Sequence, residues 1–491
     1  MASEATARIT VMPNLAKKGV FTLSWGLFLT IVAAAALIAT GIPIGPITII
    51  AGVVGVFFAF NYPYATFGLL VLLIPFLGFT VSIPAGAVPL AQEAFGGSID
   101  IYVGEVVAIV LLIAWILRVL FLWVRRQDVN WKPWLPLFWP AMAIVATHLL
   151  SALSPLNSDV VLSIKYAMRP VFWSYLIYVV LTVNFVQSPR RVRMVLGLVI
   201  VTGLLAALMG FASLAFFPEA GVAIPRARPL PMFGTNPLGL NHHLLAEWLS
   251  FSVMACIAMV YLSKSKRAKR LLILAAVFQA VIALLTFARS LWIVFALQAV
   301  LLGYLVWKEE LRKYVKTLLI IGLLLLPLIA VMIEFSSSAV VQGSTSSRLM
   351  LTEIALNFWA QSPWIGAGAG TFVTLVDRTA VFFIEFGNPM DAHGWIQKLL
   401  AEVGLLGLMA VGWMAVAAYR FLRDQIRSFK PSPERTALIV LSIAVFGAAF
   451  YQLFNTNYWT GKIWFPLGIA IACTYAFRKH RTHHDEAPLD T

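Results

Sequence analysis

The chain has 491 residues, of which 61% are hydrophobic and only 12% are charged. A soluble domain has roughly 45–50% apolar and about 25% charged residues, so this composition excludes an ordinary soluble, disordered or coiled-coil protein. The two cysteines, Cys256 and Cys473, exclude a disulfide scaffold and a cysteine-based metal site. A net charge of +15 would suggest nucleic acid in a soluble chain, but the placement of the charges indicates no nucleic-acid partner.

Apolar runs long enough to cross a bilayer recur along the whole chain. A crossing helix needs about 20 mostly apolar residues. Fourteen candidates are found, at 20–42, 43–60, 64–83, 101–124, 134–153, 166–187, 194–217, 244–262, 271–288, 290–307, 317–335, 394–419, 437–454 and 463–477. The sequence therefore predicts an all-α, polytopic integral membrane protein with about 14 (12–14) transmembrane helices, surrounded by membrane lipids.

The basic residues predict the orientation of these spans. With the N-terminus inside and alternating spans, the inner loops hold most of the 36 lysines and arginines. This bias is the positive-inside rule, so we expect both termini in the cytoplasm. The remaining basic residues face outward or lie near outer helix ends: Lys165, Arg169, Arg226, Arg228, Arg289, Arg348, Arg378, Lys398 and Lys462. Snorkelling to outer headgroups is the simple explanation for them, and binding an anion is the functional one.

The long loops divide the chain unevenly. We expect N-terminal transmembrane helices over 1–160, a second membrane domain over 161–477 and a cytoplasmic tail over 478–491. Two outer loops are long, 218–243 and 336–393. Within the second, a polar stretch precedes a predicted amphipathic helix, Arg348–Gln361, that lies along the interface or packs over the bundle. A glycine-rich turn, Pro363–Gly370, follows and is expected to be flexible.

Arginines in or near the outer loops are candidates for anion binding. Arg226 and Arg228 lie between prolines, and we expect one of the two to face a site. Arg289 lies between two apolar runs with almost no loop and needs a partner or a wet cavity. Arg348 opens the outer helix. A guanidinium suits phosphate because it stays charged and donates two parallel hydrogen bonds.

His393 is the candidate for proton transfer. It ends the second long loop, after Asp391 and at the mouth of a span, and a histidine can take a proton near neutral pH. A structural histidine is the alternative. The glycines at 366–370 form no phosphate-binding fingerprint, and neither a glycosidase-like carboxylate pair nor metal-ligand spacing is found. We therefore expect chemistry without a metal or other cofactor.

Four motifs occur in order along residues 160–475. They are Gly234-Thr235 with Asn241-His242-His243-Leu244-Leu245-Ala246, Thr286 with Arg289-Ser290, Arg348 with Pro363–Phe372, and His393 with Gln397 and Glu402-Val403-Gly404-Leu405-Leu406-Gly407. Together they resemble the bacterial O-antigen ligase/polymerase superfamily of membrane glycosyltransferases. Gly394 departs from the family, which often has Asn there. The first three or four spans lie outside the matched part and leave ligase and polymerase unresolved.

The resemblance implies a GT-C-like helical transferase. Its donor would be an undecaprenyl-pyrophosphate-linked glycan at the periplasmic face of the bacterial inner membrane, and its acceptor a hydroxyl of a glycan or glycolipid. Arg289 and one of Arg226 or Arg228 would hold the diphosphate, Arg348 would assist, and His393 would be the general base. A polysaccharide polymerase is the leading reading. The alternatives are an O-antigen ligase acting on lipid A core, a protein O-glycosyltransferase and, more distantly, a transporter or lipid flippase.

Overall fold

The computed structural model describes residues 44–84, 98–126, 135–217, 225–232, 235–239, 241–309, 312–313, 339–455 and 461–485. The expected spans 20–42 and 317–335 lie outside these ranges. The helices are α1 (Ile44–Asn61), α2 (Pro63–Leu73), α3 (Val103–Val124), α4 (Phe138–Ser151), α5 (Val160–Phe185), α6 (Pro189–Ala215), α7 (His242–Leu262), α8 (Lys266–Leu284), α9 (Arg289–Leu305), α10 (Ala339–Gln361), α11 (Phe372–Asp377), α12 (Ala380–Phe386), α13 (Trp395–Ser428), α14 (Pro433–Tyr451) and α15 (Gly461–Asp485).

The protein is an all-helical polytopic membrane protein, and among the described residues a small two-stranded sheet accompanies the helices. Among the described residues, six helices are long and apolar enough to cross a membrane, namely α3, α5, α6, α7, α13 and α14 with its 3₁₀ extension to Phe454. The bent pair α1 and α2, with 115° between its two parts, adds a seventh if it forms one span. Helices α4 and α9 are apolar but have only 14 and 17 residues. The fourteen-span count is thus not confirmed.

A two-stranded antiparallel sheet replaces part of two expected spans. Strands β1 (Thr80–Pro84) and β2 (Ser98–Tyr102) pair with Thr80 opposite Tyr102 and Pro84 opposite Ser98. The predicted continuation of span 64–83 as a helix was wrong, because α2 ends at Leu73 and β1 follows. Apolar residues alternate with polar ones in both strands, and that period of two favours strand over helix.

The chain forms two compact units. One extends over Met1–Thr66 and Ile109–Asp128, and within it Arg118 donates to the carbonyl of Phe60 at 3.0 Å. The other extends over Phe67–Ala108 and Val129–Thr491 and contains every candidate site residue. The boundary expected at residue 160 remains a prediction.

Helix α7 is the central helix of the larger unit. It packs against α6, α8 and α14, and its residues from Leu245 to Cys256 are all buried. A helix that is apolar on every side belongs inside a bundle. Trp248 on this helix donates its indole N–H to the hydroxyl of Thr202 on α6 at 3.2 Å. The N-terminus of α7, with His242 and His243, is thereby held in a fixed place.

Helix α13 is broken, and the glycine-rich turn fills the break. Gly404 has φ of 70° and ψ of −164° inside the helix. Leu405 donates its backbone N–H to the carbonyl of Pro363 at 2.8 Å, and Ala367 donates to the carbonyl of Ala401 at 2.8 Å. These bonds supply partners that the helix has lost, as a break in an apolar environment requires. The expectation of a flexible turn at 363–370 was therefore wrong.

The second long outer loop is a folded layer. Helix α10 begins at Ala339, nine residues before the predicted start at Arg348, so much of the polar stretch is helical. It packs against α13 and, with α11 and α12, forms an apolar cluster. The buried members of this cluster are Leu351, Ile354, Ala355, Phe372, Val376, Phe382, Ala392 and Ala401. Of the two placements left open, α10 takes the one over the bundle.

Candidate functional site

The loop that carries Arg226 and Arg228 is fixed at its middle residue. Ala227 is fully buried and donates its backbone N–H to the carbonyl of Leu285 at 2.8 Å. Arg228 donates its backbone N–H to the hydroxyl of Ser213 at 3.0 Å and its guanidinium to the carbonyl of Phe217 at 3.4 Å. The buried middle residue therefore fixes the backbone that carries both arginines.

Arg289 follows a tight turn that the Arg226 loop contacts. The hydroxyl of Thr286 donates to the carbonyl of Ala283 at 2.6 Å and accepts from the N–H of Ala288 at 3.3 Å. Phe287 has φ of 54°, the left-handed region that non-glycine residues seldom adopt. This turn ends α8 and starts α9 at Arg289. The bond from Ala227 to Leu285 brings the two arginine-bearing segments together.

Arg348 lies in α10 and is half-buried. Burial lowers the pKa of its guanidinium, and the charge of Arg289 lowers it further. An arginine stays protonated in spite of such a shift. The buried Nε of Arg348 has no hydrogen-bond partner in the part of the chain that the structure describes. A cation that is crowded by a second cation and retains an unused donor is suited to an anionic ligand.

His393 lies two residues before the start of α13. Asp391 accepts the N–H of Ala392 at 2.9 Å and accepts Lys398 Nζ at 2.8 and 2.7 Å through its two oxygens. Burial lowers the pKa of His393, the charge of Arg348 lowers it further, and Asp391 opposes both. The imidazole is therefore neutral at pH 7 and able to accept a proton.

Electrostatic interactions join these groups into one arginine–histidine cluster. The charge of Arg348 acts on Arg289 and His393, and the charges of Arg226 and Arg348 both act on His242 and His243. The cluster consists of Arg226, Arg289, Arg348, His242, His243 and His393. Four of the five predicted site residues are thus brought together. Arg228 is not among the charges that act on the cluster histidines.

His242 and His243 form the first turn of α7. The side chain of Asn241 accepts the N–H of His243 at 3.0 Å and caps the helix. The two imidazole rings lie 4.3 Å apart between centroids. His243 Nδ1 is 3.3 Å from the hydroxyl of Tyr451, which donates to the carbonyl of His243 at 3.1 Å. No local pattern predicted Tyr451, which lies 208 residues away in an apolar span.

Two buried lysines lie behind the cluster and pair with carboxylates. Lys398 binds Asp391 and lies 3.9 Å from Glu402, whose Oε1 accepts the N–H of Phe372. Lys462 interacts electrostatically with Glu247 and donates to the carbonyl of Leu244 at 3.0 Å. Both lysines were outer basic residues in the sequence without an assigned partner. Lys462 thus bonds to the backbone next to His243, and Lys398 bonds to the side chain two residues before His393.

The side chains bear on two expectations from the sequence, a site without a metal and an altered role at Gly394. Within the described ranges, no three His, Cys, Asp or Glu side chains group as metal ligands do. A Cβ at Gly394 would lie 2.0 Å from Oε1 of Gln397 and 2.9 Å from the carbonyl of Leu453. The Gln397 carboxamide therefore fills the space that a larger residue at position 394 would occupy.

Comparison with known proteins agrees with the sequence motifs. No curated protein matches the chain. Residues 274–412 match the family model described as O-Antigen ligase, a segment that contains Arg289, Arg348 and His393. The Arg226 loop and the first turn of α7 precede this segment. The chain is thus similar to the O-antigen ligase domain over residues 274–412.

Proposed function

We propose that the protein is a metal-independent, inverting polysaccharide polymerase. It transfers glycan from an undecaprenyl-pyrophosphate-linked donor onto a hydroxyl of an acceptor glycan. The observation that carries the proposal is the convergence of Arg226, Arg289, Arg348 and His393, because the last three belong to the matched family domain. Three cations beside one neutral imidazole suit a reaction in which a diphosphate leaves and a hydroxyl loses a proton.

The arginines bind the donor diphosphate. Negative charge grows on the diphosphate as the bond from its oxygen to the anomeric carbon breaks, and preorganised cations stabilise this charge most in a site that excludes water. Arg348 has an unused Nε donor and is affected by the positive charge of Arg289. A bound diphosphate accepts from that donor and offsets the repulsion between the two cations. Arg226 supplies the third guanidinium from the proline-bounded loop. Arg228 is engaged elsewhere and has no assigned role in the reaction.

His393 is the general base. The acceptor hydroxyl forms a new bond to the anomeric carbon from the face opposite the diphosphate, and its proton passes to the neutral imidazole. The departing oxygen retains the electron pair of the broken bond on undecaprenyl diphosphate. Attack from the opposite face inverts the anomeric carbon. The donor linkage supplies the free energy, so no nucleotide sugar is required.

The proposed location is the bacterial inner membrane, with the site on the periplasmic face. The positive-inside distribution of lysines and arginines supports cytoplasmic termini. The lipid tail of the donor would lie in the bilayer while its diphosphate reaches the cluster at the outer surface.

Turnover by the purified protein tests this proposal. The substrate is lipid-diphosphate-linked glycan extracted from the native membrane, and the product is analysed by size and by the lipid to which it is attached. Lengthening of lipid-linked chains is expected for a polymerase. Transfer to added lipid A core, without lengthening, would instead identify a ligase.

Two variants test the assigned roles. His393→Ala should lower kcat by about 10²–10⁴-fold and leave donor binding intact, because only a proton-transfer group is removed. Arg289→Ala should weaken both donor binding and turnover. Arg423→Ala, which alters an exposed pair with Asp424, is the control and should change neither. Full turnover by His393→Ala would refute the base. Uptake of solute into vesicles that is insensitive to both site variants would favour a transporter.

A further inference from the structure

Tyr451 contacts His243 at two atoms. Its hydroxyl donates to the carbonyl of His243 at 3.1 Å, and its oxygen lies 3.3 Å from Nδ1 of His243. A tyrosine hydroxyl has one hydrogen, so with that hydrogen on the carbonyl the oxygen accepts from Nδ1. This arrangement corresponds to the tautomer with a hydrogen on Nδ1 and a lone pair on Nε2.

The surroundings leave Nε2 of this imidazole available. Arg226 and Arg348 act on the ring with positive charge. Nε2 makes no hydrogen bond within the part of the chain that the structure describes. The other groups of the cluster that bind anions are guanidinium donors, so Nε2 of His243 is an acceptor in a site rich in donors.

The position of His243 is rigid. Its backbone is capped by Asn241 and held by Tyr451, which is 2% exposed. The next residue after Tyr451, Gln452, donates its side-chain amide to Glu247, one helical turn beyond His243, at 2.6 Å. A fixed acceptor atom is suited to orienting a substrate, because little side-chain entropy is lost when the substrate binds.

We propose that His243 binds the acceptor substrate, its Nε2 accepting a hydrogen bond from a sugar hydroxyl other than the one that attacks. Tyr451 is a positioning residue that acts through His243. This inference rests on the proposed transferase function, in which an acceptor sugar must lie beside the donor diphosphate. Sugar hydroxyls are hydrogen-bond donors, and the arginines of the cluster cannot accept from them.

The test separates acceptor binding from catalysis. The acceptor is the native glycan cleaved from its lipid by mild acid, titrated against a saturating lipid-linked donor. His243→Ala should raise the acceptor KM roughly two- to tenfold, which corresponds to the loss of one hydrogen bond. The kcat should be nearly unchanged. His243→Gln should recover part of the affinity because its carbonyl oxygen accepts. Tyr451→Phe should raise KM less, and Tyr304→Phe, on an exposed ring, should have no effect.

A spectroscopic measurement addresses the tautomer directly. In protein labelled with ¹⁵N-histidine, the His243 signals, assigned by their loss in His243→Gln, should show a protonated Nδ1 and an unprotonated Nε2. Tyr451→Phe should shift them toward the other tautomer, a change that a purely structural role would not produce. A protonated Nε2 in the unmodified protein, or an unchanged acceptor KM in His243→Ala, would overturn the inference. Turnover that depends on His393 but not on His243 would leave the proposed function standing, whereas no turnover in the unmodified protein would refute both.

Discussion

His243 and His393 are two imidazoles of one cluster, and the protein holds them differently. The ring of His243 is bonded through Nδ1 to Tyr451, on the first turn of a buried helix. The ring of His393 makes no hydrogen bond among the described residues, and it lies two residues before the start of α13. A bonded ring keeps one tautomer and one direction. An unbonded ring can turn between accepting a proton and releasing it, so the contrast matches binding at one imidazole and proton transfer at the other.

The backbone beside each histidine is nevertheless anchored in a similar way. A buried lysine reaches each segment: Lys462 binds the carbonyl of Leu244, one residue after His243, and Lys398 binds Asp391, two residues before His393. The support for His393 also includes the broken helix α13. The contacts that hold the backbone therefore differ from those that hold the imidazole ring. Variants that loosen the His393 segment should therefore spare the tautomer of His243.

The largest effect is expected at the break in α13. A Cβ at Gly404 would lie 2.5 Å from the carbonyl carbon of Trp364, and its φ of 70° disfavours any side chain. Gly404→Ala should cost about 3 kcal/mol or more in stability, from backbone strain and steric overlap together. It should also lower kcat, because the displaced helix start carries His393. Thermal unfolding in detergent and the turnover assay measure the two effects.

Gly412→Ala is the matched control in the same helix. No atom lies within 4 Å of a Cβ at Gly412, so this variant should be neutral or more stable by about 0.5–1 kcal/mol. The ¹⁵N signals of His243 should be the same in both alanine variants. Equal stability of Gly404→Ala and Gly412→Ala would mean that the break does not depend on glycine. A changed His243 tautomer in Gly404→Ala would show that the two imidazoles are not held independently.

A smaller effect is expected at the anchor of the His393 segment. Lys398→Met removes a cation whose side chain is 4% exposed and leaves Asp391, whose side chain is 36% exposed, to recover water. The loss should be about 1–3 kcal/mol in stability, the range for a hydrogen-bonded charge. It should lower kcat while the acceptor KM stays constant, because His243 is anchored by Lys462 instead.

The exposed pair of Arg423 and Asp424 provides the control for this loss. The two side chains are 39% and 58% exposed and 2.9 Å apart, so solvent screens the pair and Arg423→Met should leave stability nearly unchanged. A rise in acceptor KM in Lys398→Met that equals the fall in kcat would show that the two anchors are not independent.

Local patterns predicted the helices and the candidate cations, and long-range contacts decided the rest. Apolar runs predicted most described helices because burial and lipid both select apolar residues. The sequence indicated Arg226 and Arg228 as candidates but not which of them joins the cluster. In the structure the charge of Arg226 acts on His242 and His243, whereas Arg228 bonds to Ser213 and Phe217. The sequence around Gly404 is an apolar run and gives no sign that the backbone of 363–367 packs beside this glycine. Tyr451 gives no signal because its partner is distant in sequence.

The smallest predicted effect is a shift in the pH profile, and it concerns only the unbonded imidazole. Burial and the charge of Arg348 lower the pKa of His393 below its usual 6.5. A general base works when deprotonated, so kcat should fall only below about that pH as protons block the ring. Arg348→Gln removes a positive charge, raises the pKa of His393 and should move the acidic limb to higher pH, whereas Arg348→Lys should not. Asp391→Asn removes a negative charge and should move it to lower pH. The kcat must be measured at saturating donor, because Arg348 also binds the diphosphate. If the acidic limb moves in neither Arg348→Gln nor Asp391→Asn, the proton is transferred to a group other than His393.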